Sequence, residues 1–297
     1  MAGSLWEQSA GNLARMIAAR QVSSREVVAA HLARIEAVNP AVNEVVTVLA
    51  DSALAAADAA DAAVAAGGAL GVLHGVPFTV KANIDLVGTP TTHGVPAFAA
   101  AMPDQDAPVV ERMKAAGGIP IGRTNLPDMA LRVHTVSALY GLTRNPWNLA
   151  RTTGGSSGGE GAALASGMSP LGLGNDIGGP LRNPAFACGI ASLKPGLGRI
   201  PYASALEPRS PLLAAQLMAV EGPMARHVGD LKLALGILGG PHRRDPLATQ
   251  LPVAGPTGRL RIAVVADPPG GSTAPTISAG VRAAAAALAE AGHDVVE

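Results

Sequence analysis

The segment from 154 to 186, GGSSGGEGAALASGMSPLGLGNDIGGPLRNPAF, is where this sequence has the means to do chemistry. Two glycine clusters, 154–159 and 178–179, flank a helix-like stretch (Glu160–Ser166) and a short strand-like one (Leu171–Leu173). Glycine admits positive φ and lets backbone come close to a ligand. A Gly-rich loop that leads into a helix presents free N–H groups, which hold an anion or a developing oxyanion. The residues argue against two nucleotide readings. A phosphate loop needs G-x-x-x-x-G-K-[ST], and no lysine stands at that place; a dinucleotide fingerprint needs G-x-G-x-x-G, and Gly159-Glu160-Gly161 lacks the third glycine. Taken singly, Ser156 is a loop serine and Lys81, upstream, a solvated strand-end lysine. His93 and His134 show no acidic or cysteine partner pattern. Cys188 reads as a small buried residue, too far past the loop to serve as a nucleophile.

The elements that must position these residues follow from hydrophobic periodicity and its punctuation. Ser23 and Glu26 form an S-x-x-E capping box, and Val28, Leu32 and Ile35 then recur on one helical face, up to Pro40. Residues 43–49 read as a short strand. The alanine run from Asp51 to Ala66 reads as a helix, because alanine is the best helix former, and Gly67-Gly68 ends it. Val76–Val80 is β-rich. Ala107–Ala116 is a helix with Val109, Val110 and Met113 inward, stopped by Gly117-Gly118, and Ile119–Ile121 starts another strand. Leu231–Leu238 is a short helix, Arg259–Ala266 a buried strand, Ile277–Ala291 a helix and His293–Val296 the start of a strand. Such alternation predicts an α/β fold: a mixed central sheet with helices on both faces. The chain ends on a strand that needs neighbours, so further C-terminal sheet is expected beyond it.

Composition narrows the function classes. Apolar residues make up 48% of the 297 and charged residues 15%, as in a globular protein rather than a disordered one. Aromatics are only 2%, so the core must be built from Ala, Val, Leu and Ile. The formal net charge is zero. That leaves no basic field for nucleic acid or an anionic membrane surface. No apolar run reaches the roughly 18 residues of a spanning helix, and the N-terminus lacks the pattern of a secretory signal. One cysteine excludes an internal disulfide framework and a multi-cysteine metal site. By default the location is cytoplasmic.

Several motifs, in order, carry a resemblance. GGSSGGEGAALASG followed by GLGNDIGG-x-LRNPA, with HGVPFTVKAN at 74–83, NPWN at 145–148 and LKPGLGRIP at 193–201, resembles the amidase-signature family, including its fatty acid amide hydrolase branch. The likeness covers roughly residues 10–240, with a signature core at about 70–200, and implies a single amidase-signature domain over 1–297. The family uses a Ser–Ser–Lys triad. Lys81 matches the lysine, and Ser156 matches the middle serine, typically held by a cis peptide bond. The nucleophile falls on the residue after Gly179. The resemblance implies that a neutral lysine takes a proton, through Ser156, from the nucleophile, which attacks the amide carbonyl. Burial must lower the lysine pKa for this. Ser157 is expected as a second hydrogen-bond partner of that lysine. The N–H groups of Ile177, Gly178, Gly179 and the nucleophile residue are expected to bind the oxyanion. Asp176 and Arg182 are expected to hold the loop in shape. No metal, nucleotide or organic cofactor is implied.

At the nucleophile position stands Pro180, which has neither hydroxyl nor backbone N–H. Its ring also restricts Gly179 before it. Little or no hydrolysis by the family mechanism is therefore expected. Family members also run well beyond the length of this chain, and the missing part is expected to complete the sheet and the acyl pocket. Three readings stay open: an impaired amide hydrolase, a non-catalytic binding protein, and a glutaminase-type subunit of a tRNA-dependent amidotransferase. The wording of the motifs favours the stand-alone amidases. A small-molecule amide is the implied substrate, its identity open, as is assembly into a homo-oligomer.

Overall fold

Side-chain caps set the first helices in the computed structural model, which describes residues 4–206 and 213–297. Ser9 caps α1 (Ala10–Ala18) by accepting from the Asn12 N–H at 3.1 Å. Ser23 opens α2 (Ser24–Val42) with a complete capping box: its hydroxyl accepts from the Glu26 N–H at 3.0 Å, and the Glu26 carboxylate accepts from the Ser23 N–H at 2.8 Å. Pro40 does not end this helix. It removes one helical donor, but the next turn still closes, with the Asn43 N–H donating to the Asn39 carbonyl at 2.8 Å. The stop is Asn43, at φ 56, a left-handed conformation that asparagine tolerates. After β1 (Val45–Val48) the alanine run forms α3 (Ala50–Ala66) and ends at Gly67, φ 71.

The next elements are β2 (Pro77–Lys81), α4 (Pro108–Ala115), β3 (Ile119–Thr124), the small hairpin β4 (Val136–Ser137) and β5 (Gly141–Leu142), α5 (Gly158–Ala165), β6 (Leu171–Asp176) and α6 (Arg182–Cys188). There follow β7 (Ala191–Ser192), α7 (Leu213–Met218), β8 (Val220–Ala225) and α8 (Val228–Leu238). Six strands make one mixed sheet in the order β1-β3-β2-β6-β8-β7. β3, β2 and β6 run parallel, β1 is antiparallel to β3, and β8 is antiparallel to β6 and to β7. Parallel strands buried on both faces need cover on both. Phe78 and Val80 of β2 and Leu171 and Leu173 of β6 pack with Leu13 of α1, Val109, Val110 and Met113 of α4, and Leu231 and Leu238 of α8. A second cluster sets Ile119 and Ile121 of β3 against Val28 and Ile35 of α2 and Ala53 and Ala57 of α3.

Strand periodicity then assigns β2 its role. Side chains alternate between faces, so with Phe78 and Val80 in the first cluster, Thr79 and Lys81 point the other way, toward α5. α5 comes very close to the sheet because β6 carries glycine beneath it. A Cβ on Gly172 would lie 1.8 Å from the Glu160 carboxylate.

This architecture occupies one compact unit, which runs to Leu251. A second unit, Pro252–Glu297, holds β9 (Arg261–Ala263), α9 (Pro275–Glu290) and β10 (Asp294–Val296), with β9 and β10 paired in parallel. The expected buried strand over Arg259–Ala266 is only three residues long, with Arg261 and Ala263 exposed and Ile262 half-buried. Among the described residues its one strand neighbour is β10. Among the described residues no helix is long and apolar enough to cross a membrane.

Candidate active site

Adjacent parallel strands end on the same edge of a sheet, and β2 and β6 are such neighbours. Open α/β sheets place ligands at that edge, beyond the carboxyl ends of the strands. Lys81 is the last residue of β2, and Asn175 and Asp176 are the last of β6. Lys81 Nζ donates to Ser156 Oγ at 2.9 Å and to Asn175 Oδ1 at 2.7 Å. The lysine is fully buried and Ser156 is 1% exposed. Burial pulls the lysine down to about 7, against the opposing pull of Asp176 and Glu160. A lysine in that range has the neutral amine accessible at ordinary pH, which a general base requires. The Gly155–Ser156 peptide bond is cis.

Ser157 sits beside this pair but does not touch the lysine. Its hydroxyl is buried over Gly174 without a hydrogen-bond partner. The second partner of Lys81 is Asn175, and the Asn175 Nδ2 in turn donates to Asn83 Oδ1 at 3.1 Å. Asn175 is hard to pick out by motif, because it sits inside the GNDIGG run, where the aspartate and the glycines carry the recognisable pattern.

Below the pair lies Glu160, which in the sequence marks only the start of a helix. It is fully buried and accepts from Thr79 Oγ1 of β2 and, at 2.7 Å, from Thr124 Oγ1 of β3. Burial raises its carboxyl to about 7 even so. A lone acid within a Gly/Ala stretch is the available signal, since such a residue is placed to be buried rather than solvated. Arg123, also buried, donates to the carbonyls of Ile84 at 2.7 Å and Lys81 at 3.3 Å, fixing the chain where β2 ends.

The loop after β6 is organised by one carboxylate. Asp176 accepts from the N–H groups of Gly179 at 2.8 Å and Leu181 at 3.1 Å. It also takes both arms of Arg182, at 3.1 and 3.0 Å. Burial opposes ionisation of Asp176, but these donors outweigh it and hold the carboxyl below its usual range. One consequence corrects the expected set of oxyanion donors. The Gly179 N–H is taken by Asp176, and Pro180 has none. Ile177 and Gly178 remain, both solvent-exposed. Gly179 adopts φ 127, which favours glycine. Asp176→Ala is expected to release this loop. Loss of charge-assisted bonds worth about 1.5–3 kcal/mol should speed hydrogen exchange at Gly179 and Leu181 by about 10- to 100-fold. Unchanged exchange would mean that other contacts hold the loop.

Asn183 joins the two glycine segments. Its N–H donates to the Gly179 carbonyl at 2.7 Å, and its Oδ1 accepts from the Gly155 N–H at 3.0 Å. Asn183 thereby links Gly179, just before Pro180, to Gly155, just before Ser156. NPWN clamps the far end of α6: Asn145 Nδ2 donates to the Thr152 and Ala187 carbonyls at 2.9 and 2.8 Å, and Trp147 Nε1 donates to Cys188 O at 2.7 Å. Cys188 itself is buried, and burial together with Glu44 pushes its thiol up to about 12. His134 shares a hydrogen bond with Thr152 at 2.8 Å, and His93 stands edge-on to Phe98.

The chain is similar to several known proteins. Indoleacetamide hydrolase of Bradyrhizobium diazoefficiens is 44% identical over 297 residues, covering 99% of this chain and 57% of that protein. A glutamyl-tRNA(Gln) amidotransferase subunit of Acidothermus cellulolyticus is 40% identical over 301 residues, covering 99% of this chain and 58% of its own length. The structure of 6-aminohexanoate cyclic dimer hydrolase complexed with substrate superposes with a TM-score of 0.85 at 33% identity, covering 99% of this chain and 61% of that one. This chain thus spans less than two thirds of the length of each of these relatives. Residues 26–297 match the family profile described as Amidase, and with that match and these identities the chain belongs to the amidase family.

Proposed function

We propose that this chain carries an amide-hydrolysing centre of the Ser–Ser–Lys kind with Pro180 in the nucleophile's place, so that the chain as it stands does not turn amides over. The observation that carries the reading is the buried Lys81, lowered to about 7 and 2.9 Å from Ser156 Oγ. With serine at 180, its hydroxyl attacks the amide carbonyl and passes its proton to Ser156, while Ser156 passes its own to Lys81. The tetrahedral oxyanion is met by the N–H groups of Ile177, Gly178 and residue 180. Collapse expels the amine, which takes the proton back through Ser156, and water then releases the carboxylate. Asp176 and Arg182 keep the loop in place. Both compact units are read as parts of one amidase domain, since the matched residues run through both.

The test compares the chain with its Pro180→Ser version on indole-3-acetamide, an N-acyl aniline, a long-chain fatty amide and glutamine, following release of ammonia or amine. The expected result is turnover of at least one amide by the serine version alone. No turnover by a folded serine version on any amide would count against the reading. A second reading, as the glutaminase part of a complex, draws on the 40% identity to an amidotransferase subunit. It predicts activity on glutamine in the serine version and a stoichiometric partner after purification from its source.

A further inference from the structure

We propose that Asn175 is a positioning residue for Lys81: its amide, held in one orientation by Asn83, turns the lysine so that the lone pair of its neutral form points at the Ser156 hydroxyl. The proposal rests on the reading above and adds the group that aims the base.

What each atom can donate or accept fixes the orientation. Asn175 Oδ1, 2.7 Å from Lys81 Nζ, accepts and cannot donate, so the lysine must give it an N–H. The amide's other end, Nδ2, donates to Asn83 Oδ1 at 3.1 Å, so Asn175 cannot turn round unless Asn83 turns with it. The reverse orientation would set an NH2 against the lysine and, with Asn83 unmoved, an oxygen against an oxygen. A neutral amine has two N–H groups and one lone pair. With one N–H fixed on Asn175, rotation about the Cε–Nζ bond is restrained, and Ser156 Oγ at 2.9 Å meets the lone pair. In the ammonium form Lys81 donates to both oxygens; in the amine form the Ser156 O–H donates to Nζ. Proton transfer then balances. Ser156 gives its proton to Nζ and receives one from the attacking hydroxyl, so one positive charge appears on Lys81 and one negative charge on the nucleophile.

A neutral amide suits this task better than a carboxylate would. Lys81 already faces two acids, Asp176 and Glu160, and lies near the cationic Arg123 and the ring of His93. Both acids are engaged elsewhere, Asp176 with Arg182 and the loop amides, Glu160 with two threonines. A third carboxylate in direct contact would hold the lysine protonated. Asn175 directs without adding charge. Its placement at the end of β6, with Asn83 two residues past Lys81, brings both amides to the edge where β2 and β6 finish.

The experiment has two readouts. The first is the rate of fluorophosphonate capture by the Pro180→Ser chain across pH. The second is the titration of Lys81 by NMR with carbon-13-labelled lysine, in a chain of four lysines, assigned with Lys81→Met. Asn175→Leu is expected to lower the plateau capture rate by about 10-fold or more, since orientation is lost, and high pH should not restore it. Asn175→Asp is expected to raise the Lys81 midpoint by about one pH unit or more. Its capture rate should fall near neutral pH and recover at high pH. Asn83→Ala, which frees the amide to turn, should fall between the parent and Asn175→Leu. A merely structural role would separate none of these profiles. Capture by Asn175→Leu at the parent plateau overturns the proposal and leaves the amidase reading standing. If the Pro180→Ser chain is not captured at all, the amidase reading fails. The lysine titration then decides alone: a midpoint moved by Asn175→Asp supports the contact, and an unmoved one overturns it.

Discussion

The Pro180→Ser chain is expected to take up one fluorophosphonate per molecule, read as a single adduct by intact mass, where the Pro180 chain takes up none. Removal of the nucleophile from a serine hydrolase costs on the order of a million-fold in turnover, so restoring it should move capture across the whole range of the assay. The substitution returns two groups at once, a hydroxyl and a backbone N–H. Lys81 and Ser156 are already buried and hydrogen-bonded to each other, and Asn183 ties the loop of Ser156 to residue 179. Capture should rise with pH through about 7, as Lys81 loses its proton, and level off above. In the same background, Lys81→Met should lower the rate by about 10²- to 10⁴-fold, the usual contribution of a general base. A folded Pro180→Ser chain that stays unlabelled would sink the assignment of the triad. Labelling of the Pro180 chain would place a reactive serine elsewhere.

Gly172→Ala is expected to be strongly destabilising. Gly172 pairs with Thr79 of β2 on one side and Met224 of β8 on the other, so its backbone cannot retreat. The added Cβ would fall 1.8 Å from the Glu160 carboxylate. That carboxylate cannot swing aside either, because Thr79 and Thr124 hold its two oxygens from two different strands. Overpacking a well-filled core costs about 1–3 kcal/mol and sometimes more, and here neither side of the contact can yield, so about 3 kcal/mol or more is expected. For a chain of this size that lowers Tm by roughly 6–12 °C, measurable by calorimetry. Adding Glu160→Ala should give back part of the loss, as contacting residues couple. A fall in Tm of under about 2 °C (and no coupling) would mean that α5 sits further from β6 than this packing implies.

Much of the architecture is local and legible from residues alone. Capping at Ser23 and Glu26, alanine propensity in α3, glycine stops at Gly67 and Gly117, and apolar faces such as Val109, Val110 and Met113 are all short-range signals. The order of motifs identifies the family, and the absence of a hydroxyl and an N–H at residue 180 needs no coordinates. Arg259–Ala266 shows the limit: an apolar run has strand propensity, but whether it is buried depends on how many strands flank it, and among the described residues β9 has one. Pro40 shows another, since one lost hydrogen bond stops a helix only where the following turn cannot close.

The partners of the site are the part that needs the fold. Lys81 and Ser156 come together in the sequence only through resemblance, because 75 residues separate them and nothing in their spacing brings them into contact. The choice of Asn175 over Ser157 as the second partner of Lys81 depends on how β2 and β6 end side by side, which is a fact of sheet order. So does the engagement of the Gly179 N–H by Asp176, which removes a donor that the motif leaves free. Sequence alone determined which residue types were at hand and which one was missing. Tertiary structure decided who touches whom, because burial of Lys81 and Glu160, and with it their shift toward neutral pH, exists only once three strands and α5 have closed around them.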